Sequence, residues 1–177
     1  VNTKTYRLPL PEPVEAAAAG LMADFEMVVV KIIDSDGAEG MGYTVSGGGQ
    51  GLSMSAIINN TLKDLLIGED PGRIEYLWEK QWKRHHYAGR GAPLTFSLAA
   101  TDMALWDLKA KTLKVPLWKL LGGYNKKVKT YAGNIDLNFP LQKLLDGASE
   151  SLAKGHKSVK MRLGRPSLRE DIERVEA

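Results

Sequence analysis

The chain has 177 residues, 44% apolar and 25% charged, a globular balance that excludes a disordered or fibrous protein. A net charge of +3 is too small to imply a nucleic-acid partner by itself, despite a pI of about 9.0. The absence of cysteine excludes disulfide scaffolds, zinc fingers and thiol nucleophiles, and the lack of a signal segment or long apolar run predicts a soluble, cytoplasmic protein.

The chain opens at Val1 rather than methionine, so an incomplete front is an expectation. Residues 1–45 read as strands. Thr5–Leu10 is a short extended run, and Phe25–Ile33 is rich in β-branched residues. The turn signal Asp34-Ser35-Asp36-Gly37 then returns the chain as Gly40–Val45, giving an antiparallel three-strand meander. In that topology the loops 11–24 and 46–53 leave from the same end of the sheet. Long loops sharing one edge read as lids or as plain mobile connections.

Residues 54–122 read as helices. After the break at Gly68–Pro71, the residues Ile74, Leu77, Trp78, Gln81, Trp82 and His85 share one face, and Arg73, Lys80, Lys83 and Arg84 take the other. A second helix, from about Pro93, stacks Leu94, Leu98, Leu105 and Leu108 with Met103 and Trp106. Pro116 resets the chain before Leu117, Leu120 and Leu121, which end at Gly122-Gly123.

Three tempting sites fail on inspection. The run Gly47–Gly51 lacks the spacing and the following Lys-Ser/Thr of a phosphate loop. The aromatic-basic stretch Trp78–Arg90 puts its cations on a solvated helix face, which argues against single-stranded nucleic acid. Adjacent His85 and His86 diverge by about 100° on a helix, so a packed His85 and an exposed His86 are expected rather than a metal pair.

From Lys127 the pattern is β-α-β-α. Val128–Ala132 is a predicted strand, and the next helix starts near Pro140, carries Leu141, Leu144, Leu145, Ala148 and Leu152 on one stripe, and ends at Gly155. Ser158–Leu163 is the next strand, and Ser167 with Glu170 forms a capping box for a last helix. Alternating strand and helix predicts a parallel sheet or barrel, of which two strands are only the beginning. Within Ser158–Leu163, Lys160 and Arg162 share one side of the strand while Val159, Met161 and Leu163 share the other. Two cations break the apolar rule for a covered parallel strand. They read either as groups pointing into a closed barrel near its catalytic end or as the charges of a solvated edge strand.

Six segments, in this order and spacing, carry a resemblance: YRLPLPEPV at Tyr6–Val14, GGQG at Gly48–Gly51, GEDP at Gly68–Pro71, ALWDLKAK at Ala104–Lys111, PLWKLLGG at Pro116–Gly123 and VKMRLGRP at Val159–Pro166. The chain resembles the N-terminal half of an enolase-superfamily protein of the mandelate racemase/muconate lactonizing enzyme branch, closest in flavour to acid-sugar dehydratases of the galactarate/L-talarate type. The resemblance implies an α+β capping domain at residues 1–123 and the first βα units of a (β/α) TIM-like barrel at 124–177. It implies a Mg²⁺-dependent lyase that removes the proton alpha to a sugar-acid carboxylate and expels a β-hydroxyl. The metal ligands would come from later barrel strands, so no residue here is assigned to metal, and Glu170, Asp171 and Glu173 are expected to face solvent.

In the family, two lysines on the second barrel strand serve the chemistry. Lys160 matches the one that helps hold the carboxylate, and Arg162 matches the base. A guanidinium is effectively never deprotonated, so arginine there argues against two-base racemisation and favours dehydration by a histidine elsewhere, with Arg162 as a clamp. Met22, Phe25 and Tyr43 are candidates for substrate contact from the capping side, and Tyr131 and Asn134 from the first barrel strand. The alternatives are a racemase or cycloisomerase on the same scaffold, and a non-catalytic capping or binding module. The resemblance implies a sugar-acid ligand, neither nucleic acid nor membrane as partner, and a homo-oligomer when full length. The isolated chain is expected to be inactive and to bind Mg²⁺ weakly.

Overall fold

In a computed structural model, which describes residues 1–16, 20–124 and 127–177, the first elements are three strands, β1 (Asn2–Ala16), β2 (Gly20–Ile33) and β3 (Glu39–Gly47). They form one sheet in that order, with β2 and β3 antiparallel from Phe25 opposite Gly47 to Ile33 opposite Glu39. The Asp34 carboxylate closes the turn by accepting the Asp36 and Ala38 N–H groups at 3.0 and 2.8 Å. The meander is as predicted, but residues 11–16 and 20–24 are strand rather than loop. Residues 11–16 continue β1 and 20–24 belong to β2, while the tip of the expected lid, 17–19, lies outside the described residues. Pro11 and Pro13 lie in the stretch expected to be loop, and Pro9 just before it. As an edge strand, β1 tolerates them, because prolines two apart lose their N–H donors on the same side.

By its contacts the chain divides into two compact units, Val1–Leu8 with Phe25–Tyr124, and Pro9–Asp24 with Asn125–Ala177. In the first, Val28, Val30 and Ile32 point into the core from β2, and their partners on β3 are Thr44, Gly42 and Gly40. The helix α4 (Ala92–Thr112) lies on that face. A Cβ on Gly40 would fall 2.1 Å from the Ala104 carbonyl oxygen, and one on Gly42 2.1 Å from that of Ala100. The two glycines are therefore the surface on which the helix rests. Asp107 fixes the register by accepting the Met41 N–H and pairing with Lys111, both at 2.7 Å.

The remaining helices complete this core. α1 (Gly51–Ile57) runs through a π-helical turn, Ile58–Leu62, into α2 (Lys63–Leu66), and buries Met54, Ile58, Leu62 and Leu66. The expected loop 46–53 shrinks to residues 48–50, because Ser46 and Gly47 end β3 and the Glu26 carboxylate starts α1 by accepting the Gly51 N–H at 2.6 Å. α3 (Ile74–Arg84) buries Ile74, Leu77 and Gln81, and stacks Trp78 on Trp82 with ring centroids 6.1 Å apart. Gln81 donates to the Leu77 carbonyl at 3.0 Å and accepts from the Thr101 hydroxyl at 3.1 Å, so its burial leaves no unpaired amide. His85 is half-buried against the Gln81 carbonyl and His86 is exposed, as expected. Lys80 departs from the expected solvated face, since it pairs with Glu69 at 2.5 Å and donates to the Leu65 carbonyl. Met103 is exposed on α4, and the leucines of α5 (Leu117–Leu120) are not buried.

Asp102, half-buried on α4, has its carboxyl pKa raised above the ordinary 3.8 by desolvation. The folded state therefore takes up this proton more readily than the unfolded chain. The destabilising cost is full at neutral pH and fades as pH falls through the raised pKa toward 3.8. Asp102→Asn is expected to raise the urea midpoint at pH 7 and to lose that advantage near pH 3.8, as two denaturation series would show.

In the second unit the predicted β-α-β-α order holds with shorter strands. β4 (Ala132–Gly133) and β5 (Val159–Lys160) pair in parallel, Ala132 opposite Val159 and Gly133 opposite Lys160. Val128–Ala132 and Ser158–Leu163 were the expected spans; a ladder of two strands has little to hold its ends. α6 (Leu141–Ala153) starts after Pro140, buries Leu144, and ends at Gly155 with φ +93°. α7 (Leu168–Glu176) follows Ser167, whose side chain makes no cap bond. In place of that capping box, the Asp171 carboxylate accepts the Gly164 and Arg165 N–H groups at 2.9 and 3.2 Å. Among the described residues no helix is long and apolar enough to cross a membrane.

Candidate active site

The site residues expected near the barrel strands all fall in the second unit. Lys160 is exposed at the end of β5, in register with Gly133. A Cβ at Gly133 would lie 3.4 Å from the Tyr131 ring and 3.8 Å from the Lys160 Cβ, so Tyr131 and Lys160 flank the same glycine. Asn134 turns the other way. Its amide nitrogen lies 3.7 Å from where a Cβ of Gly147 on α6 would be, and it helps line an open hollow with Val14, Ile135, Phe139 and Lys143.

Arg162 is half-buried two residues beyond Lys160. Its backbone N–H donates to the Asp136 carboxylate at 2.9 Å, and its Nε is buried without a partner among the described residues. Asp136 is only 1% exposed and was not singled out from the sequence. Its surroundings, Asn134-Ile135-Asp136-Leu137-Asn138, are ordinary loop and cap vocabulary, in which no residue stands out. Two arginines hold the same segment. Arg174, 5% exposed, donates to the carbonyls of Phe139 and Asp136 at 2.8 and 2.9 Å, and Arg165 donates to that of Leu137 at 3.0 Å.

The far half of the β1–β2 hairpin is pinned within this unit. The Asn138 side chain accepts the Glu15 N–H and donates to the Pro13 carbonyl, both at 3.1 Å. Residues 13 and 15 present these groups on the same side of β1, so one amide acts there as a short pairing strand. Glu12 pairs with Lys143, whose ammonium lies 4.1 Å from the Phe139 ring centre. Met22 is buried in this unit, on β2. Phe25 and Tyr43 belong to the first unit. Phe25 is half-buried, and Tyr43, opposite Val29, is exposed on the sheet face that also carries Met41 and Val45.

The acids present do not assemble a magnesium site. Mg²⁺ requires an octahedron of oxygen ligands, and among the described residues no group of three His, Asp or Glu side chains could hold an ion. Glu170 and Glu173 face solvent as expected while pairing with Arg165 and Arg169, whereas Asp171 is half-buried and holds backbone N–H groups.

Residues 2–122 match the N-terminal domain of the mandelate racemase / muconate lactonizing enzyme family. The chain belongs to this family. It is 45% identical, over all 177 residues, to a 3,6-anhydro-α-L-galactonate cycloisomerase of Streptomyces coelicolor, and covers 49% of that protein. A crystal structure of a racemase from the same organism with bound magnesium superimposes with a TM-score of 0.95 at 44% identity, over 99% of this chain and 49% of that one. The Salmonella typhimurium L-talarate/galactarate dehydratase liganded with Mg and L-lyxarohydroxamate gives a TM-score of 0.89 at 30% identity, over 98% of this chain and 46% of that one. The chain thus spans about half the length of the relatives it matches. As a member of the mandelate racemase/muconate lactonizing enzyme family, it presents the α+β capping fold followed by parallel strands that begin barrel units. The relatives include dehydratases of acid sugars as well as a cycloisomerase, and several of the similar solved structures hold magnesium.

Proposed function

We propose that the full-length protein removes the proton alpha to the carboxylate of a sugar acid and then releases the β-oxygen. The observation that carries this reading is the pair Lys160 and Arg162, at and just beyond the end of β5, on a chain 45% identical to a sugar-acid cycloisomerase. Residues 1–123 act as the cap and 124–177 as the start of the barrel. Two cations at i and i+2 lie about 6.6 Å apart in extended chain, close enough to bracket one carboxylate. Lys160 is the group able to accept a proton, and Arg162 holds charge without yielding its own. A base takes the α-proton, the C–H electron pair passes into the carboxylate, and its return to form the Cα–Cβ double bond breaks the β-carbon–oxygen bond. When that oxygen is a free hydroxyl, it leaves as water and the reaction is a dehydration. When it belongs to an anhydro ring, the same step opens the ring and gives an isomer. The dehydratase outcome is the primary reading, and the Streptomyces relative favours the ring-opening outcome as the second. Any magnesium is held by residues beyond those described here.

Incubating the full-length protein with Mg²⁺ in D₂O, with open-chain aldonates and aldarates and with 3,6-anhydro sugar acids, tests both. Deuterium at the alpha carbon of recovered substrate, or a 2-keto-3-deoxy product carrying solvent deuterium at C3, is expected with at least one class. No exchange and no elimination with either class would overturn the reading.

A further inference from the structure

The ladder between β4 and β5 stops at the pair Gly133–Lys160, so the sheet itself does not hold the chain at Arg162. What holds it is one carboxylate. Asp136 is 1% exposed and spends its Oδ1 on the Arg162 N–H at 2.9 Å, a bond supplied by a side chain beyond the last strand pair. Burying a carboxylate is costly unless it is hydrogen-bonded, and the bond from the Arg162 N–H offsets that cost. The backbone around it is equally fixed, because Arg174 takes the carbonyls of Asp136 and Phe139 and Arg165 that of Leu137. A chain of bonds therefore runs from α7 through residues 136–139 to the amide of Arg162.

We propose that Asp136 is a positioning residue: its carboxylate sets the backbone of Arg162 and thereby aims the Lys160–Arg162 pair. The inference rests on the reading that this pair faces the substrate carboxylate. Side-chain aim is sensitive to backbone placement, and a displacement of about 1 Å at a reacting group can cost 10²-fold in rate.

The test uses the full-length protein and two readouts, amide hydrogen exchange at Arg162 and the kinetics of α-proton exchange. Asp136→Ala is expected to speed Arg162 exchange roughly tenfold or more, as for loss of a charge-assisted hydrogen bond. The Gly164 amide, held by Asp171, should keep its protection. In the same variant kcat should fall by about 10²-fold with little change in KM. Asp136→Asn retains the acceptor oxygen and should restore both readouts to near wild type. An Arg162 amide as protected in Asp136→Ala as in wild type, or an Asn variant as impaired as the Ala variant, would overturn the proposal. Should Asp136→Ala fail to fold, Asp136→Glu keeps the charge but moves the oxygen by one methylene; it should lose kcat while staying folded, and an unchanged kcat counts against the proposal. Lys160→Met and Arg162→Met report on the underlying reading separately. If Lys160→Met and Arg162→Met both keep full α-proton exchange, the site reading fails, while the amide result still decides whether Asp136 fixes Arg162.

Discussion

Gly42→Ala is expected to cost about 3 kcal/mol of stability, and more if helix α4 cannot lift from the sheet. The added Cβ would stand 2.1 Å from the Ala100 carbonyl oxygen and 2.7 Å from the Ala104 nitrogen, both backbone atoms of a helix interior. No rotamer relieves such a contact, so the helix must move as a body, and Leu98, Leu105 and Leu108 move with it out of a close-packed core. Against a total stability of roughly 5–15 kcal/mol the loss is large. Met41→Ala, on the intervening outward-facing residue, should cost far less. Urea denaturation of the two variants beside wild type makes the comparison, and equal midpoints for Gly42→Ala and wild type would show that the contact is not tight in solution.

Lys160→Met should reduce α-proton exchange by about 10²–10⁴-fold in the full-length protein, the range typical of a lost acid-base group. The side chain is exposed at the strand end, so thermal unfolding should be nearly unaffected and the loss is attributable to chemistry. Arg162→Lys separates the roles of the pair. If Arg162 is a clamp, lysine at this position supplies a second group able to lose its proton, and deuterium should enter the alpha position from this face. If wild type already exchanges from this face and Lys160→Met leaves that exchange intact, Arg162 is itself the base. NMR of the recovered substrate in D₂O reads all three proteins.

The sequence made the helices legible because their apolar stripes repeat at the helical period. Ile74, Leu77 and Gln81 on α3 and Leu144 on α6 are buried where that period places them. Strand length was less legible. Composition marks Pro11 and Pro13 as loop residues, and the edge position of β1 makes them compatible with a strand. The glycines at 40 and 42 carry no signal of their own, since their role depends on a helix some sixty residues later. The same holds for the site. Lys160 and Arg162 stand out because cations interrupt an apolar strand pattern, whereas Asp136, Asn138 and Arg174 act through backbone groups distant in sequence. Nothing local marks a residue whose partner is a carbonyl on another element.

The π turn at Ile58–Leu62 bears on how this lineage can change length. The buried residues Met54, Ile58, Leu62 and Leu66 are spaced by four throughout. At about 100° per residue a regular helix would turn such a series by some 40° at each step, about 120° by the last. The wider π turn takes up that drift, so all four residues stay on the core. Removing either exposed Asn59 or Asn60 would change the spacing to four, three and four, the face of an ordinary α-helix. Both lengths thus bury the same four side chains, and this helix is a point where insertion and deletion of one residue are interchangeable histories.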